Sequence, residues 1–372
     1  MFTTIHGQSQ NNPDPVTGIN VGYNNDFSGF EMIEVAGNNA FIITEDVHNR
    51  ANIPAVTLKF LKFLNKHKNI KTLAIEGGTS TAYLINRYLE NQDSSLLREI
   101  VRHTFYWSQE HYQFLKALAA WNHTLSAENQ IVVQSADIEI KQESVILAIN
   151  LLIDEKKIPP QISVLETFKI IFKEREQHRN SFQALNVLYY YDKKKCSNLV
   201  ETVLADVKAN PGEYKKFFMD NFELFNTMVT DLQLLYKFNY HRDSRFKFRD
   251  DIIYQKLLKV HKISLNGFLY VVGAKHARPD ASSFMLKHYA FSPLKDKVLF
   301  ISTTGKNKNG KYLGAKDVTK ISNQYPQVFN SKFHTLIKND CRNELFTQPY
   351  DYTLALKDNR HVKPFPNSFT GK

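Results

Sequence analysis

The stretch AFIIT at residues 40–44, followed by EDVHNR at residues 45–50, decides the fold of this chain. Its apolar residues are continuous rather than alternating, which indicates a strand buried on both faces of a sheet. From residue 53 to about residue 66, apolar residues recur at helical spacing. Pro54 suits the first turn of that helix, because the N–H that it lacks has no helical partner there. A buried strand followed at once by a helix predicts a parallel sheet covered by helices.

The same pattern of a short apolar strand followed by a helix recurs along the chain. We predict further strands at 72–75, 131–133, 268–272 and 298–302, and helices at 81–91, at about 109–123 and around 281–291. These elements predict an α/β fold with a mostly parallel sheet flanked by helices.

One long segment departs from this pattern, because residues 141–262 have helical periodicity and no clear strand signal. We therefore predict an α-helical cap inserted between two parts of the core. The predicted organisation is a loop-rich N-terminal lead-in (1–37), a first part of the α/β core (38–140), the helical cap (141–262), a second part of the core (263–345) and an irregular tail (346–372).

The composition carries no signature of nucleic-acid binding or of a membrane span. The formal net charge is +11, but the lysines are scattered and form no basic arm, so we expect no nucleic-acid partner. The apolar runs are far shorter than the roughly 20 residues that span a bilayer. The first ten residues have no basic and apolar leader. A cytoplasmic location is therefore expected, with export after removal of a signal peptide as the alternative, and the sequence makes no prediction of the oligomeric state.

Chemically versatile side chains follow four of the predicted strands, at the point where each strand ends. Glu45 and His48 follow the first strand, Glu76 the second, Asp137 the third and His276 the fourth. Parallel sheets place ligand chemistry beyond the carboxyl ends of their strands. We therefore predict one site at this edge, although each of these side chains taken singly is typical of an ordinary surface or hydrogen-bonded residue.

The residue types at this edge predict hydrolysis by an activated water molecule. A histidine can accept a proton from water near neutral pH, and a neighbouring carboxylate can orient the imidazole. The developing oxyanion needs a cation or N–H donors. The chain has no Gly-x-Ser-x-Gly motif and no His-Glu-x-x-His motif, which argues against a serine hydrolase and a zinc protease.

These motifs, taken in series, resemble the erythromycin esterase family, part of a wider group that includes haem-uptake ChaN-like and TIKI-type proteins. The order and rough spacing of the motifs agree from about residue 39 to residue 280, around two thirds of the chain. The matching stretches are EDVH at 45–48 with Arg50 following, LAIEG at 73–77, Trp107 with the helix at 115–122 and the strand running to Asp137, FRDDII at 248–253, and VVGAKH at 271–276.

The resemblance implies an α/β core with a helical cap and hydrolysis of an ester or lactone in a small-molecule substrate. It implies that His48 is the general base and that Glu45 or Glu76 orients it or polarises the water. His276 would be a second proton carrier or oxyanion partner, and Arg249 would stabilise negative charge. The implied substrate-binding residues are Arg50, Trp107 and Asp137. The chain departs from the family pattern at Lys256, where an Asn is usual.

Two alternatives stay open at the level of sequence. TIKI-type relatives imply a metal-dependent hydrolase, in which His48, Glu45, Glu76 and His276 would hold a divalent ion; otherwise no cofactor is expected. A protein that binds haem or an iron complex on the same scaffold, without catalysis, is the other alternative.

Overall fold

A single mixed sheet forms the centre of the described part of the computed structural model. The structure describes residues 16–45, 50–104, 108–153, 156–177, 193–238, 244–277, 281–306, 312–313, 334–338, 350–356, 363 and 365. Its strands are β1 (Val16–Ile19), β2 (Ala40–Glu45), β3 (Thr72–Ile75), β4 (Val132–Ser135), β5 (Phe268–Gly273), β6 (Val298–Lys306), β7 (Tyr312–Leu313), β8 (His334–Lys338) and β9 (Tyr352–Leu356). The order across the sheet is β1-β8-β9-β6-β2-β5-β3-β4, and β7 pairs with β6.

The strands from β9 through β6, β2, β5 and β3 to β4 pair in parallel, whereas β8 pairs antiparallel with both β1 and β9. Strand β2 lies between β6 and β5, and its side chains are buried on both faces, as the continuous apolar run predicts. The predicted α/β fold with a mostly parallel sheet flanked by helices is confirmed.

Helices cover both faces of this sheet. They are α1 (Ile53–Lys68), α2 (Thr79–Asn91), α3 (Ser94–His103), α4 (Gln109–Asn122), α5 (Gln142–Ile153), α6 (Glu166–Gln177), α7 (Lys193–Ala209), α8 (Pro211–Phe218), α9 (Phe222–Phe238), α10 (Ser244–Ile263) and α11 (Ser282–His288). The described part of segment 141–262 contains helices and no strand. Across the described ranges, no helix is both long and apolar enough to cross a membrane.

Helix α10 runs antiparallel to strand β3. Its beginning therefore lies at the carboxyl end of β3 and its end at the amino end of β3. Near its end, Ser264 bonds Thr72 at the start of β3 (Oγ to Oγ1, 3.0 Å). Near its beginning, Arg249 bonds Glu76, which follows the last residue of β3. Between these points, Ile253 and Leu257 belong to the same buried cluster as Tyr270 of β5. The first half of α10 therefore lies at the carboxyl edge of the sheet.

The tail expected to be irregular at 346–372 contains strand β9, and this expectation is corrected here. Residues 352–356 are all buried, and they pair in parallel with β6 and antiparallel with β8. A run of five residues between polar segments carries little periodicity of its own. Its conformation depends on the two strands that accept its hydrogen bonds, and those strands come from earlier in the chain.

We predict that Gly267→Ala destabilises the start of the central strand pair. Gly267 has a φ of +99°, and a Cβ there would lie 2.1 Å from the Asn39 carbonyl oxygen. The obstacle is backbone and cannot move aside, so the free energy of unfolding should fall by at least about 2 kcal/mol in urea titrations. Gly212→Ala in α8, where a Cβ meets nothing within 4 Å, should leave stability unchanged or higher by about 0.5–1 kcal/mol. Equal losses in the two variants would contradict the prediction.

Candidate active site

A buried ion-pair network forms at the carboxyl ends of β3, β4 and β5. It brings together four residues that the sequence analysis selected: Glu76 directly after β3, Asp137 after β4, Arg249 from α10, and His276 from the 3₁₀ turn that follows β5. The convergence follows from the topology, because β4, β3 and β5 are parallel neighbours whose ends meet at one edge.

Arg249 is the centre of this network. Its Nε lies 3.0 Å from each oxygen of Asp137, and its NH2 group contacts Asp137 Oδ2 and lies 2.9 Å from Glu76 Oε1. Burial alone would lower the pKa of Arg249, but the Asp137 and Glu76 carboxylates outweigh it and raise the pKa. Asp137 is 0% exposed and also accepts the Ile138 N–H at 2.7 Å. The network thus holds a permanent positive charge between two carboxylates.

His276 is held between two carboxylates as well. Its Nδ1 lies 2.7 Å from Asp250 Oδ1 and its Nε2 lies 3.3 Å from Glu76 Oε1. Burial lowers the pKa of His276, but the bonds to Asp250 and Glu76 outweigh it and raise the pKa to about 9. The backbone fixes both partners, since Glu76 accepts the Gly273 N–H at 2.8 Å and Asp250 the Ser282 N–H at 3.0 Å. At neutral pH His276 is an imidazolium that donates hydrogen bonds.

Lys256 extends the network towards the helices of the insertion. Its Nζ lies 2.5 Å from Asp231 Oδ2 of α9 and 2.6 Å from the Asp137 carbonyl oxygen. Thr79, at the start of α2, donates to the same Asp231 oxygen at 3.0 Å. Burial raises the pKa of Asp231 even though Lys256 acts in the opposite direction. Lys256 therefore ties α9 and α10 to the end of β4.

A buried acid explains the second of the two glycines that follow Glu76. Glu139 accepts the Ser80 N–H at 2.7 Å and the Ser80 hydroxyl at 2.6 Å, and burial raises its pKa to about 7. A Cβ on Gly78 would lie 2.1 Å from Glu139 Oε2 and 2.7 Å from its Cα. Gly78 is therefore required for the approach of Glu139 to the start of α2.

A small cavity opens beside the network, between the sheet and the first turns of α1 and α4. Its polar side chains include Glu45, Glu76 and His111, and its apolar wall includes Ile53 and Phe114. The cavity volume is about 30 Å³, which is room for about two water molecules. Two acids and an imidazole facing a confined water site are groups that can orient a water molecule and handle its proton.

The structure places the remaining predicted residues as follows. Glu45 ends β2 and shares the cavity with Glu76, and Arg50 is buried, with 2% of its surface exposed. His48 and Trp107 lie outside the described residues. Three residues that the sequence analysis did not select belong to the site region: Asp250, Asp231 and His111.

Signals for two of the missed residues were present in the sequence. Asp250 directly follows Arg249 in the segment that resembles the esterase family. His111 occupies a core position of α4, on the face that it shares with Leu115 and Leu118, and a polar residue on an otherwise apolar face indicates a specific role.

The described groups do not fit a divalent metal. Both nitrogens of His276 lie at hydrogen-bond distance from carboxylate oxygens of Asp250 and Glu76, and in this arrangement the ring nitrogens are donors to those oxygens. Both oxygens of Glu76 accept hydrogen bonds from Arg249 and Gly273. Within the described residues no group of three or more His, Cys, Asp or Glu side chains is arranged to hold a metal ion. In the structure Glu76 and His276 therefore belong to an ion-pair network, and His48, the other predicted histidine ligand, lies outside the described residues.

Comparison with known proteins shows the fold class that this architecture defines. No family model and no curated protein matches the sequence. The solved structure of a succinoglycan biosynthesis protein is similar at 12% identity and a TM-score of 0.60, over 94% of this chain and 95% of the other.

Two further solved structures share this fold. A variant of the erythromycin esterase EreC in its open conformation aligns at 11% identity and a TM-score of 0.55, over 92% of this chain and 96% of the other. A Bacillus cereus protein aligns at 12% identity and a TM-score of 0.54, over 89% and 91%. The chain therefore shares its α/β fold with an erythromycin esterase.

We predict that the stability of the protein depends on pH through His276. Because the pKa in the folded state, about 9, lies above the ordinary value near 6.5, the stabilisation is complete below about pH 6.5 and is lost as the pH rises through about 9. Urea titrations should show a loss of about 2–3 kcal/mol between these limits.

Asp250→Asn should remove most of this pH dependence, because it removes the carboxylate bonded to Nδ1 of His276. Asp220→Asn is the matched control, since Asp220 is an exposed acid in the turn before α9. An unchanged pH profile in Asp250→Asn, or the same change in both variants, would contradict the assignment.

Proposed function

We propose that this protein is an erythromycin esterase-like hydrolase, in which a histidine-activated water attacks the carbonyl of an ester or lactone in a small molecule. The observation that carries the proposal is the convergence of Glu76, Arg249, Asp137 and His276 at the carboxyl edge of the sheet, next to a cavity of water-molecule size. The esterase activity named for EreC, whose fold this chain shares, adds support.

The protonation state of His276 assigns its role in this proposal. A general base must be unprotonated at the working pH, and the pKa of about 9 keeps His276 protonated. His276 instead contributes its positive charge to the carboxyl edge of the sheet, which favours the oxyanion that develops on the attacked carbonyl, while both of its N–H groups stay bonded to Asp250 and Glu76. Asp250 and Glu76 are positioning residues for His276, and Asp137 is a positioning residue for Arg249 rather than the substrate-binding residue that the resemblance implied.

The base is assigned to His48, three residues beyond the end of β2. Glu45 ends that strand and lines the cavity, where a carboxylate can orient the imidazole and stabilise its charged form. In the proposed reaction His48 takes a proton from water, the water oxygen bonds the carbonyl carbon, and the bond from that carbon to the alkoxy oxygen breaks. The proton on His48 passes to the leaving alkoxide, so an acid and an alcohol are the products. Arg50 and Trp107 are proposed to contact the substrate.

We predict that the wild type hydrolyses p-nitrophenyl acetate and γ-butyrolactone and that His48→Ala lowers kcat by about 10²–10⁴-fold, the range for loss of a general base. Glu76→Gln should lower kcat as well, because Arg249 and His276 lose a charged partner. His67→Ala is the matched control, since His67 is exposed in the last turn of α1, and it should retain wild-type kcat. Initial rates followed at 405 nm or by pH-stat measure these effects.

The alternatives give different results in the same assay. Loss of turnover in EDTA with recovery in Mn²⁺ would support the metal-dependent hydrolase. Absence of turnover, with a Soret band on haem titration, would support the binding protein and refute the esterase proposal.

A further inference from the structure

Two large apolar side chains are held almost completely in solvent at the amino edge of the sheet, where its parallel strands begin. Leu265 is 99% exposed and Phe291 is 98% exposed. Leu265 belongs to the turn before β5, and Phe291 to the loop at 289–297 before β6. Because β5, β2 and β6 are parallel neighbours, both segments enter the sheet at the same edge, which is opposite to the candidate active site.

Hydrogen bonds fix the turn that carries Leu265. Ser264, directly before it, is buried, and its hydroxyl bonds the start of β3 at 3.0 Å. The Gly267 N–H donates to the Ser264 carbonyl at 3.0 Å, and the Asn266 side-chain amide donates to the Asn69 carbonyl at 3.2 Å. These anchors on both sides hold Leu265 outward in a defined place.

The loop that carries Phe291 is anchored in the same way. Ser292, directly after Phe291, is buried, and its hydroxyl donates to the Leu286 carbonyl at 2.6 Å. Leu294 is fully buried in the core beside β6. A single exposed apolar residue is ordinary on a protein surface, but two that rigid turns hold outward at one edge indicate a surface that contacts a partner.

The backbone of Asn39 joins the two turns. Its carbonyl accepts the Phe268 N–H at 3.1 Å, and its N–H donates to the Lys297 carbonyl at 2.8 Å. The turn of Leu265 therefore ends beside the residue at which the loop of Phe291 ends. We call residues 66–71, 262–266 and 289–297 the amino-edge patch; the first segment joins it through the bond between Asn69 and Asn266.

The amino-edge patch is strongly cationic. Its one acid is Asp296, and a second acid, Glu128, is brought near by the bond from Lys71 Nζ to the Glu128 carbonyl. Against these acids stand six lysines, of which all but Lys68 and Lys71 are classed as exposed. The six are Lys66, Lys68, Lys71, Lys262, Lys295 and Lys297. Lysines around apolar tips match an anionic bilayer, whose headgroups attract the cations and whose acyl boundary accepts the apolar side chains.

We propose that the amino-edge patch docks on an anionic lipid bilayer, with Leu265 and Phe291 inserted at the headgroup boundary and the lysines among anionic headgroups. A nucleic acid would attract the lysines but offers no apolar layer for the two tips. A second copy of this chain would bring two sets of lysines together, and like charges repel. The bilayer complements both features of the patch.

Docking in this orientation leaves the candidate active site open to water. Strand β2 has six residues and β3 has four, so the two edges of the sheet are about 13–20 Å apart. The carboxyl edge then points away from the bilayer, and the protein would meet substrates dissolved in water rather than lipids. The docking proposal uses none of the site residues and is independent of the proposed function.

Vesicle sedimentation with the full chain tests the proposal. At about 0.1 M NaCl, the wild type should pellet with vesicles of equal parts phosphatidylglycerol and phosphatidylcholine and should stay in solution with pure phosphatidylcholine vesicles. About 1 M NaCl should release most of the bound protein, because the Debye length falls from about 10 Å to about 3 Å. Failure to bind the anionic vesicles would overturn the proposal, whether or not the protein hydrolyses esters.

Substitutions at the two tips measure their insertion. Leu265→Ser and Phe291→Ser should each weaken vesicle binding about 10-fold or more, because each removes the burial of a large apolar side chain. Leu265→Trp and Phe291→Trp should retain binding. Ile170→Ser is the matched control, since Ile170 is an apolar residue of α6 that is 54% exposed. If the tip variants bind as tightly as this control, insertion is refuted.

Paired charge reversals measure the part played by the lysines. Lys262→Glu with Lys295→Glu should weaken binding at least about 25-fold, from about 5-fold for each lysine at an anionic surface. Lys208→Glu with Lys216→Glu makes the same change in net charge at exposed lysines of the helical insertion, and it should have a smaller effect. Equal effects of the two pairs would show that net charge alone drives binding, against the patch.

The other possible partners give different results with the same proteins. The substituted side chains of the patch are exposed, so thermal unfolding midpoints should equal that of the wild type. Tighter binding to fluorescein-labelled duplex DNA than to anionic vesicles would assign the patch to nucleic acid. A dimer in sedimentation velocity that Leu265→Ser or Phe291→Ser disperses would assign it to self-association. Either result would overturn docking on a bilayer.

Discussion

The largely buried charge of Arg249, whose side chain is 21% exposed, is the constraint on which the site depends. A guanidinium does not lose its proton in a protein, and a buried cation without partners is strongly unfavourable. Arg249 finds its partners in Asp137 after β4 and Glu76 after β3, so α10 docks with its first half at the carboxyl edge of the sheet. Lys256, two turns later, bonds the Asp137 carbonyl and Asp231. Helix α10 thus positions the acids that define the site and connects α9 of the helical insertion to the sheet.

Two histidines in this region have opposite protonation states, and the difference comes from their partners. His276 lies between the carboxylates of Asp250 and Glu76, which raise its pKa to about 9. His111 has the Ser108 hydroxyl beside its Nδ1, and burial lowers its pKa to about 3. When the environments of two ionisable groups drive their pKa values apart, one site can perform different proton-handling tasks at the same pH. The proposed function uses the positive charge of His276 to favour the oxyanion.

Prediction from sequence succeeded where a pattern is local and failed where it depends on partners. The strands that precede Glu45, Glu76 and His276 are continuous apolar runs, and the rule that parallel strands end at one edge brings Glu76, Asp137 and His276 together. Asp250 follows Arg249 in the segment that resembles the esterase family, and its role was overlooked because its contact with His276 forms only in the folded chain. Strand β9 was missed for the same reason, since its conformation depends on pairing with β6 and β8.

The sequence by itself determined the α/β class, the central strand, the helical nature of the insertion and the residue types at the strand ends. These properties follow from hydrophobic periodicity and from the geometry of parallel sheets. Only the tertiary structure decided that Arg249 is neutralised by Asp137 and Glu76, that His276 is a cation and that His111 lines the cavity. The protonation state of a side chain depends on burial and on charges within a few ångströms, and residues as distant in the sequence as Glu76 and Arg249 become neighbours only when the chain folds.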